Sequence, residues 1–255
     1  MPHRLPADRE DELNLFDRLL SGQAEDRILL IKAPGGRGKS TLLRAFVRCC
    51  AGRPHIPLDL KGQTVSLHEI FYEMCDTLGW GQFESFARAA GNLAPQVKIE
   101  RNILVGRPTI QVIQGALAAE TPEQRAERRA ALTQAFFDDL RRLPRPPVLI
   151  FDTFEAASPE LADWFGQSFL PHAYRSPGLV VVIAGRQVPP ETIAWSGYRH
   201  DLPPIADPRP WLSYCEREGL AMHEEGVKVL CTLFKGHPDE IVTALLVVAG
   251  QGGGL

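Results

Sequence analysis

A glycine-rich segment, APGGRGKS at residues 33–40, limits most strongly what this chain can fold into. It follows the short apolar run 27–32 and opens a helical pattern at Thr41-Leu42-Leu43. Glycines at 35, 36 and 38 let backbone N–H groups converge on phosphate oxygens, and a helix that starts there adds its positive end. Ala33 stands where the motif usually begins with glycine. Strand, loop, Lys-Ser and helix occur in the required order, which predicts a phosphate-binding loop.

The residue types in this loop predict its chemistry. Lys39 is expected to bridge the β- and γ-phosphates of a nucleotide, and Ser40 to ligate Mg²⁺. The predicted nucleotide contacts of the loop are Pro34, Gly35, Gly36, Arg37, Gly38, Lys39, Ser40 and Thr41.

Apolar runs that alternate with amphipathic helical patterns predict an α/β fold with a parallel five-stranded sheet flanked by helices. The predicted strands are 27–32, 56–60, 148–152, 179–184 and 198–202. We assign residues 1–205 to this core and 206–255, where only helical patterns follow, to a partial helical lid. In 91–115, apolar residues such as Ile110 and Val112 alternate with polar ones, which predicts a β-hairpin-like insertion. That insertion is either a docking surface or a decoration.

Asp152 ends the most apolar predicted strand, where a carboxylate can join Ser40 in a Mg²⁺ site. Its wide separation from Lys39 fits the additional-strand class of P-loop ATPases, in which this strand is not the neighbour of the loop's strand. Glu155 is the nearest acid that could position an attacking water, or it is a surface ion-pair residue. Arg186 follows the next strand, where it contacts a γ-phosphate or is simply solvated.

Composition excludes several classes of protein. The net charge is −3, from 28 basic and 31 acidic residues, so no basic field recruits nucleic acid. The arginines around 125–145 are interleaved with acids. Five cysteines without paired metal spacing are expected to be reduced thiols. No apolar run reaches the roughly 18 residues of a membrane span, and the N-terminus lacks a secretory segment. We therefore expect a cytoplasmic protein without membrane or nucleic-acid partners.

Taken in order, the motifs resemble those of STAND-class ATPases, the signal-transducing relatives of AAA+ proteins. The matching segments are DREDEL at 8–13, the loop at 35–41, VLIFDTFE at 148–155, VIAGR at 182–186 and KGHP at 235–238. The resemblance implies ATP or ADP with Mg²⁺ as ligands, and Arg9 beside the adenine. It also implies that Pro238 packs on the base and that His237 lies near the base or β-phosphate, unless its imidazole faces solvent. Many relatives carry an acid where this chain has Thr153.

By this resemblance the chain is an ATP-binding, slowly hydrolysing molecular switch whose lid moves with the nucleotide. Self-association, or an effector or sensor module, is the expected partner. The winged-helix and repeat modules usual in the family do not fit into 255 residues, so we expect an excised core or a minimal member. Two alternatives stay open: a DNA-handling ATPase of the origin-recognition or transposition-helper kind, and a noncatalytic nucleotide-binding scaffold.

Overall fold

The computed structural model describes residues 6–61, 65–94 and 108–251, and in them a parallel five-stranded sheet confirms the predicted fold class. The strands lie in the order β2-β3-β4-β1-β5. Their bounds are β1 Ile28–Lys32, β2 His55–Asp59, β3 Val148–Asp152, β4 Val180–Gly185 and β5 Tyr198–Asp201. Because β4 lies between β1 and β3, the additional-strand arrangement predicted from the sequence is confirmed.

Helices cover both faces of the sheet. They are α1 Glu10–Ser21, α2 Lys39–Cys49, α3 Leu67–Leu78, α4 Glu84–Leu93, α5 Ile110–Leu117, α6 Pro122–Leu140, α7 Pro159–Trp164, α8 Leu170–Tyr174, α9 Pro208–Glu218, α10 Glu224–Leu233 and α11 Pro238–Gln251. Short 3₁₀ turns at Trp80–Gln82 and Phe154–Ala156, and a π-helical turn at Phe165–Phe169, complete the described elements.

The central strands have apolar side chains on both faces, as expected for a sheet that helices cover on both sides. Alternate residues of β1 show this division. Leu30 packs in a core with α3 to α8, while Leu29 and Ile31 pack in a second core with α1 and α2. All six residues of β4 are buried. Parallel pairing aligns Lys32 with Gly185, so the loops that follow the strands emerge at one edge.

The predicted hairpin insertion is wrong where the structure describes it. Residues 91–93 belong to α4, and Ile110 and Val112 lie in α5. The apolar residues Val112, Ile113 and Ala116 are all buried, and their spacing puts them on one face of a helix. An alternation of two apolar residues was too short to distinguish strand from helix. The rest of the predicted hairpin, 95–107, lies outside the described residues.

The C-terminal helices α9 to α11 form a third core of their own, around Trp211, Tyr214, Val227 and Ile241. Ile205, in the segment that leads into α9, is part of it. The division at residue 205 remains a prediction. Among the described residues, no helix is both long and apolar enough to cross a lipid bilayer. All five cysteines are free.

Candidate functional site

The glycine-rich loop connects β1 to α2 at the carboxyl edge of the sheet. Gly36 and Gly38 have φ angles of 73° and 81°, in the left-handed region that favours glycine. Ala33 N donates to Gly185 O at 3.0 Å, which extends the pairing of β1 with β4 into the loop. Helix α2 begins at Lys39, so its free N–H groups face the loop's concave side. The segment thus has the geometry of an anion cradle.

Lys39 lies within this cradle. Its Nζ donates to Ala33 O at 2.6 Å and to Pro34 O at 2.8 Å. Burial lowers the pKa of Lys39, and the neighbouring carboxylates of Glu155 and Asp152 oppose that shift. The ammonium group therefore sits between the loop carbonyls and the acidic ends of β3 and its following turn.

Ser40 and Asp152 meet beside the lysine. Ser40 Oγ donates to Asp152 Oδ2 at 2.7 Å, and Thr153 N donates to Asp152 Oδ1 at 2.8 Å. Mg²⁺ commonly takes one or two protein oxygens together with phosphate oxygens and water, and this hydroxyl–carboxylate pair fits that donor set. Within the described residues, no three His, Cys, Asp or Glu side chains converge as metal ligands. A magnesium ion here would therefore depend on nucleotide phosphates for much of its coordination.

Glu155 and Arg186 are brought together at the end of β4. Arg186 N donates to Glu155 Oε2 at 2.8 Å, and Arg186 Nε lies 3.5 Å from Glu155 Oε1. The guanidinium extends over the loop: a Cβ added to Gly35 would lie 3.3 Å from Arg186 Nη2. Gly185 leaves room for this pair, since its added Cβ would be 2.7 Å from Glu155 Oε2. Glu155 is thus an ion-pair partner close to Lys39, in reach of the phosphate side of the site.

Thr153, between Asp152 and the turn that carries Glu155, has φ 58° and ψ 42°. A β-branched residue seldom adopts this left-handed conformation. The backbone here turns sharply, which moves Glu155 away from the strand axis and toward Arg186.

The lid contacts the loop through the segment Gly236 to Asp239. The His237 ring lies against Gly36, where an added Cβ would be 2.2 Å from His237 Cε1. Asp239 N donates to Gly36 O at 3.3 Å, and Pro238 is buried 3.9 Å from an added Cβ on Gly38. Gly236 has φ 68° and packs on the backbone before α9, with Ile205 N donating to Gly236 O at 2.8 Å. His237 is partly buried, and its Nδ1 is buried without a hydrogen-bond partner.

A pocket of about 810 Å³ lies beside the loop, between α2 and the lid. One wall consists of Arg37 from the glycine-rich loop and of Thr41, Arg44 and Arg48 from α2. The opposite wall is largely apolar and consists of Ile205, Trp211, Tyr214, Pro238, Val242 and Leu246. The size suits a nucleoside-sized ligand.

Arg9 closes one end of this pocket and is only 3% exposed. Its guanidinium donates to Asp8 O at 2.9 Å, to Pro203 O at 3.0 Å and to Arg37 O at 3.4 Å. Burial lowers the pKa of Arg9, while neighbouring Glu12 and Asp8 oppose the shift. Arg9 thus joins the segment before α1, the glycine-rich loop and the chain leading to the lid.

The sequence-predicted residues are brought together in two groups. Lys39, Ser40, Asp152, Glu155 and Arg186 surround the mouth of the loop, and Arg9, Thr41 and Pro238 line the pocket. Sequence reasoning missed the arginines of α2 and the aromatic residues of α9. Arg44 and Arg48 lie one helical turn apart on α2, a spacing that puts them on one face but is equally typical of a solvated helix surface.

Comparisons with known proteins agree with this geometry. The family described as AAA ATPase domain matches residues 7–182. A signal transduction ATPase with numerous domains (STAND) protein with a tetratricopeptide repeat sensor, from Pyrococcus horikoshii, shares the fold with a TM-score of 0.54 at 13% identity. Cdc6p from Pyrobaculum aerophilum does so with a TM-score of 0.52 at 17% identity. These alignments cover 92% and 99% of this chain, but only 29% and 64% of those proteins. No curated protein sequence matches the chain.

Proposed function

The chain belongs to the AAA ATPase domain family, and on that premise we propose that it is a nucleotide-dependent switch. It binds ATP and ADP with Mg²⁺ at the glycine-rich loop, hydrolyses ATP slowly, and moves its helical lid when the nucleotide changes. The predicted residue roles belong to this proposal: Lys39 on the phosphates, Ser40 and Asp152 on the metal, Glu155 and Arg186 on the γ-phosphate side, and Arg9, His237 and Pro238 on the base side.

The observation that carries the proposal is the direct contact between lid and loop. The His237 ring on Gly36 and the bond from Asp239 N to Gly36 O join the lid to a loop whose shape fits phosphate. A nucleotide in the pocket would touch α2 on one side and the lid on the other. A ligand shifts a two-state equilibrium only by its differential affinity for the two states, and a ligand that contacts both parts can have one.

Slow turnover is proposed because of where the acids lie. The position directly after Asp152 is Thr153, and Glu155 is held by Arg186 in an ion pair. A carboxylate engaged in this way is a weaker water-positioning group until the arginine moves to a phosphate. Hydrolysis is therefore expected to be coupled to movement of Arg186.

The DNA-handling alternative needs a surface of net positive charge, and acids neutralise part of the charge of the arginines around α6. Three are ion-paired: Arg129 with Glu160, Arg141 with Asp138 and Arg142 with Asp139. Arg128 and Arg125 donate to the backbone carbonyls of Ala118 and Ala119. This pairing supports the switch over a DNA-binding surface. A steep fall of DNA affinity with salt would favour the alternative, if the slope of log affinity against log salt concentration corresponds to several phosphate contacts.

The test is calorimetric titration of the chain with ADP and with ATP plus Mg²⁺, followed by light-scattering mass in each state. Both nucleotides should bind, and the mass should rise in one state if the switch self-associates. Lys39→Ala is the control and should abolish binding, because its ammonium offsets several phosphate charges. The variant should lose roughly 1 to 3 kcal/mol of stability, because it removes the two hydrogen bonds from Lys39 Nζ to Ala33 O and Pro34 O. Equal nucleotide affinity in the two proteins would contradict the proposal.

A further inference from the structure

The pocket between α2 and the lid has one wall whose positive charge a simple nucleotide does not use. Arg44 and Arg48 line it from α2, four residues apart on one face of the helix, and Arg37 lines it from the glycine-rich loop that precedes α2. Arg37 Nη1 and Arg48 Nη2 are buried and have no hydrogen-bond partner. Buried guanidinium nitrogens are costly unless a hydrogen-bond acceptor accompanies them. Arg37 and Arg48, together with the exposed Arg44, are called here the arginine face, and the two buried nitrogens point to an anionic partner.

The rest of the pocket does not supply that anion. Asp239 is the single carboxylate on its described lining, against four arginines when Arg9 is included. Asp239 lies at the start of α11, where its backbone N–H already donates to Gly36 O. The opposite wall, with Ile205, Trp211 and Val242, suits a flat apolar group such as a base. The two walls thus fit two different parts of one ligand.

Distance along α2 indicates which part of a nucleotide would reach the arginine face. At a rise of about 1.5 Å per residue, Arg44 lies about 7.5 Å and Arg48 about 13.5 Å beyond Lys39. The 5′-phosphates of a nucleotide bind at the helix N-terminus, beside Lys39 and Ser40. The 5′-phosphates are therefore close to Arg37, whereas Arg44 lies beside the sugar and Arg48 lies beyond it.

We propose that the pocket prefers an adenine nucleotide that carries an additional phosphate on its ribose, at the 2′- or 3′-hydroxyl. The 5′-phosphates occupy the glycine-rich loop, the base lies on the lid wall, and the additional phosphate meets the arginine face. Guanidinium groups bind phosphate oxygens in bidentate pairs, and two or three of them suit a dianion better than a neutral sugar. The inference rests on the proposed function, because it places the nucleotide in the same site.

The experiment is calorimetry with three probes: ADP, adenosine 3′-phosphate 5′-diphosphate and adenosine 2′-phosphate 5′-diphosphate. One ribose-phosphorylated probe should bind at least about tenfold more tightly than ADP, as expected for one new charge-assisted contact. In the double variant with Arg44→Gln and Arg48→Gln, the ratio of the affinity for that probe to the affinity for ADP should fall to about one. Arg44→Lys combined with Arg48→Lys keeps the charge and should retain part of the preference. Arg18→Gln, at an exposed arginine on α1, is the matched control and should leave the ratio unchanged.

The outcomes separate this inference from the proposed function. If ADP binds and neither ribose-phosphorylated probe binds more tightly, the inference is overturned and the nucleotide site stands. If the preference survives in the double glutamine variant, the arginine face is not its source and the inference is again overturned. If the wild-type chain binds none of the three probes, the proposed function fails with it.

Discussion

Ser40 Oγ and Asp152 Oδ2 are joined by a hydrogen bond of 2.7 Å, although 112 residues separate them in the chain. The bond links the first turn of α2 to the end of β3, across the intervening strand β4. A hydroxyl and a carboxylate are thereby placed side by side at the mouth of the glycine-rich loop. Disrupting this pair should lower ATP turnover while nucleotide binding persists.

Asp152→Asn should lower Mg²⁺-dependent ATP turnover by roughly 10- to 100-fold, the usual cost of weakening a metal site. The amide oxygen can still accept from Ser40, and the backbone cradle is unchanged, so nucleotide affinity without Mg²⁺ should stay near the wild-type value. Steady-state hydrolysis and calorimetry in EDTA measure the two quantities. Wild-type turnover in the variant would show that Asp152 takes no part in the metal site.

Glu155→Gln should reduce turnover by about 100-fold with little change in ATP affinity, if Glu155 positions the attacking water. The glutamine oxygen can still accept from Arg186 N, so the local backbone should hold. Glu160→Gln is the matched control, because Glu160 is an exposed acid that pairs with Arg129 away from the loop. A wild-type rate in Glu155→Gln would make the residue structural and place the water-positioning group elsewhere.

The sequence was most informative where a few consecutive residues define both chemistry and conformation. The order of strand, glycines, Lys39 and Ser40 predicted the loop, and a strand ending in Asp152 predicted its partner. The ion pair of Glu155 with Arg186 could not be predicted as a contact. It depends on the sharp turn at Thr153 and on how β3 aligns with β4.

Other features were missed because a local pattern has more than one structural meaning. Arg44 and Arg48 are typical of a solvated helix face, and only the packing of the lid makes them walls of a pocket. The position of His237 on Gly36 depends on the docking of a separate helical core, which no local pattern specifies. The residues Ile110 and Val112 suggested a strand, yet burial of Val112 with Ile113 and Ala116 stabilises a helix.

Thr153→Asn should raise the free energy of unfolding by about 1 kcal/mol. Asparagine tolerates the left-handed conformation better than a β-branched residue, whose penalty there is of order 1 to 2 kcal/mol. The backbone bond from residue 153 to Asp152 does not depend on the side chain. Urea unfolding of the two proteins measures the difference. The control is Thr232→Asn, at an exposed position on α10, because the other candidate, Thr133, is buried. Its free energy of unfolding should change little or fall slightly.

The pair of His200 and Glu12 should make stability depend on pH. The Glu12 carboxylate raises the pKa of His200, while burial opposes this. Burial would raise the pKa of Glu12, but the facing imidazole and Arg9 outweigh it and the net pKa is lowered. The imidazole's contribution is therefore full below its usual pKa of about 6.5 and is lost as pH rises through the raised value. The carboxylate's contribution is lost only as pH falls through its own lowered pKa.

His200→Gln should accordingly be less stable than the wild type near pH 5.5, by no more than about 1 kcal/mol for a partly exposed pair. The difference should shrink toward zero near pH 9. Thermal unfolding of both proteins across this range measures it, and His223→Gln, at an exposed histidine before α10, is the control. A difference that grows with pH would contradict the assigned direction.

The lid is proposed to distinguish ADP from ATP, and the ratio of the two affinities in Pro238→Ala tests this most directly. Pro238 is buried beside the loop at the first position of α11. Pro122 occupies the same position of α6 but is exposed and does not line the pocket, so Pro122→Ala is the control. We expect the lid to hold the ADP-bound state more firmly. Pro238→Ala should then weaken ADP more than ATP and shift the ratio, while Pro122→Ala leaves the ratio unchanged. If Pro238→Ala weakens both nucleotides equally, or neither, the lid does not read the nucleotide and the switch account is contradicted.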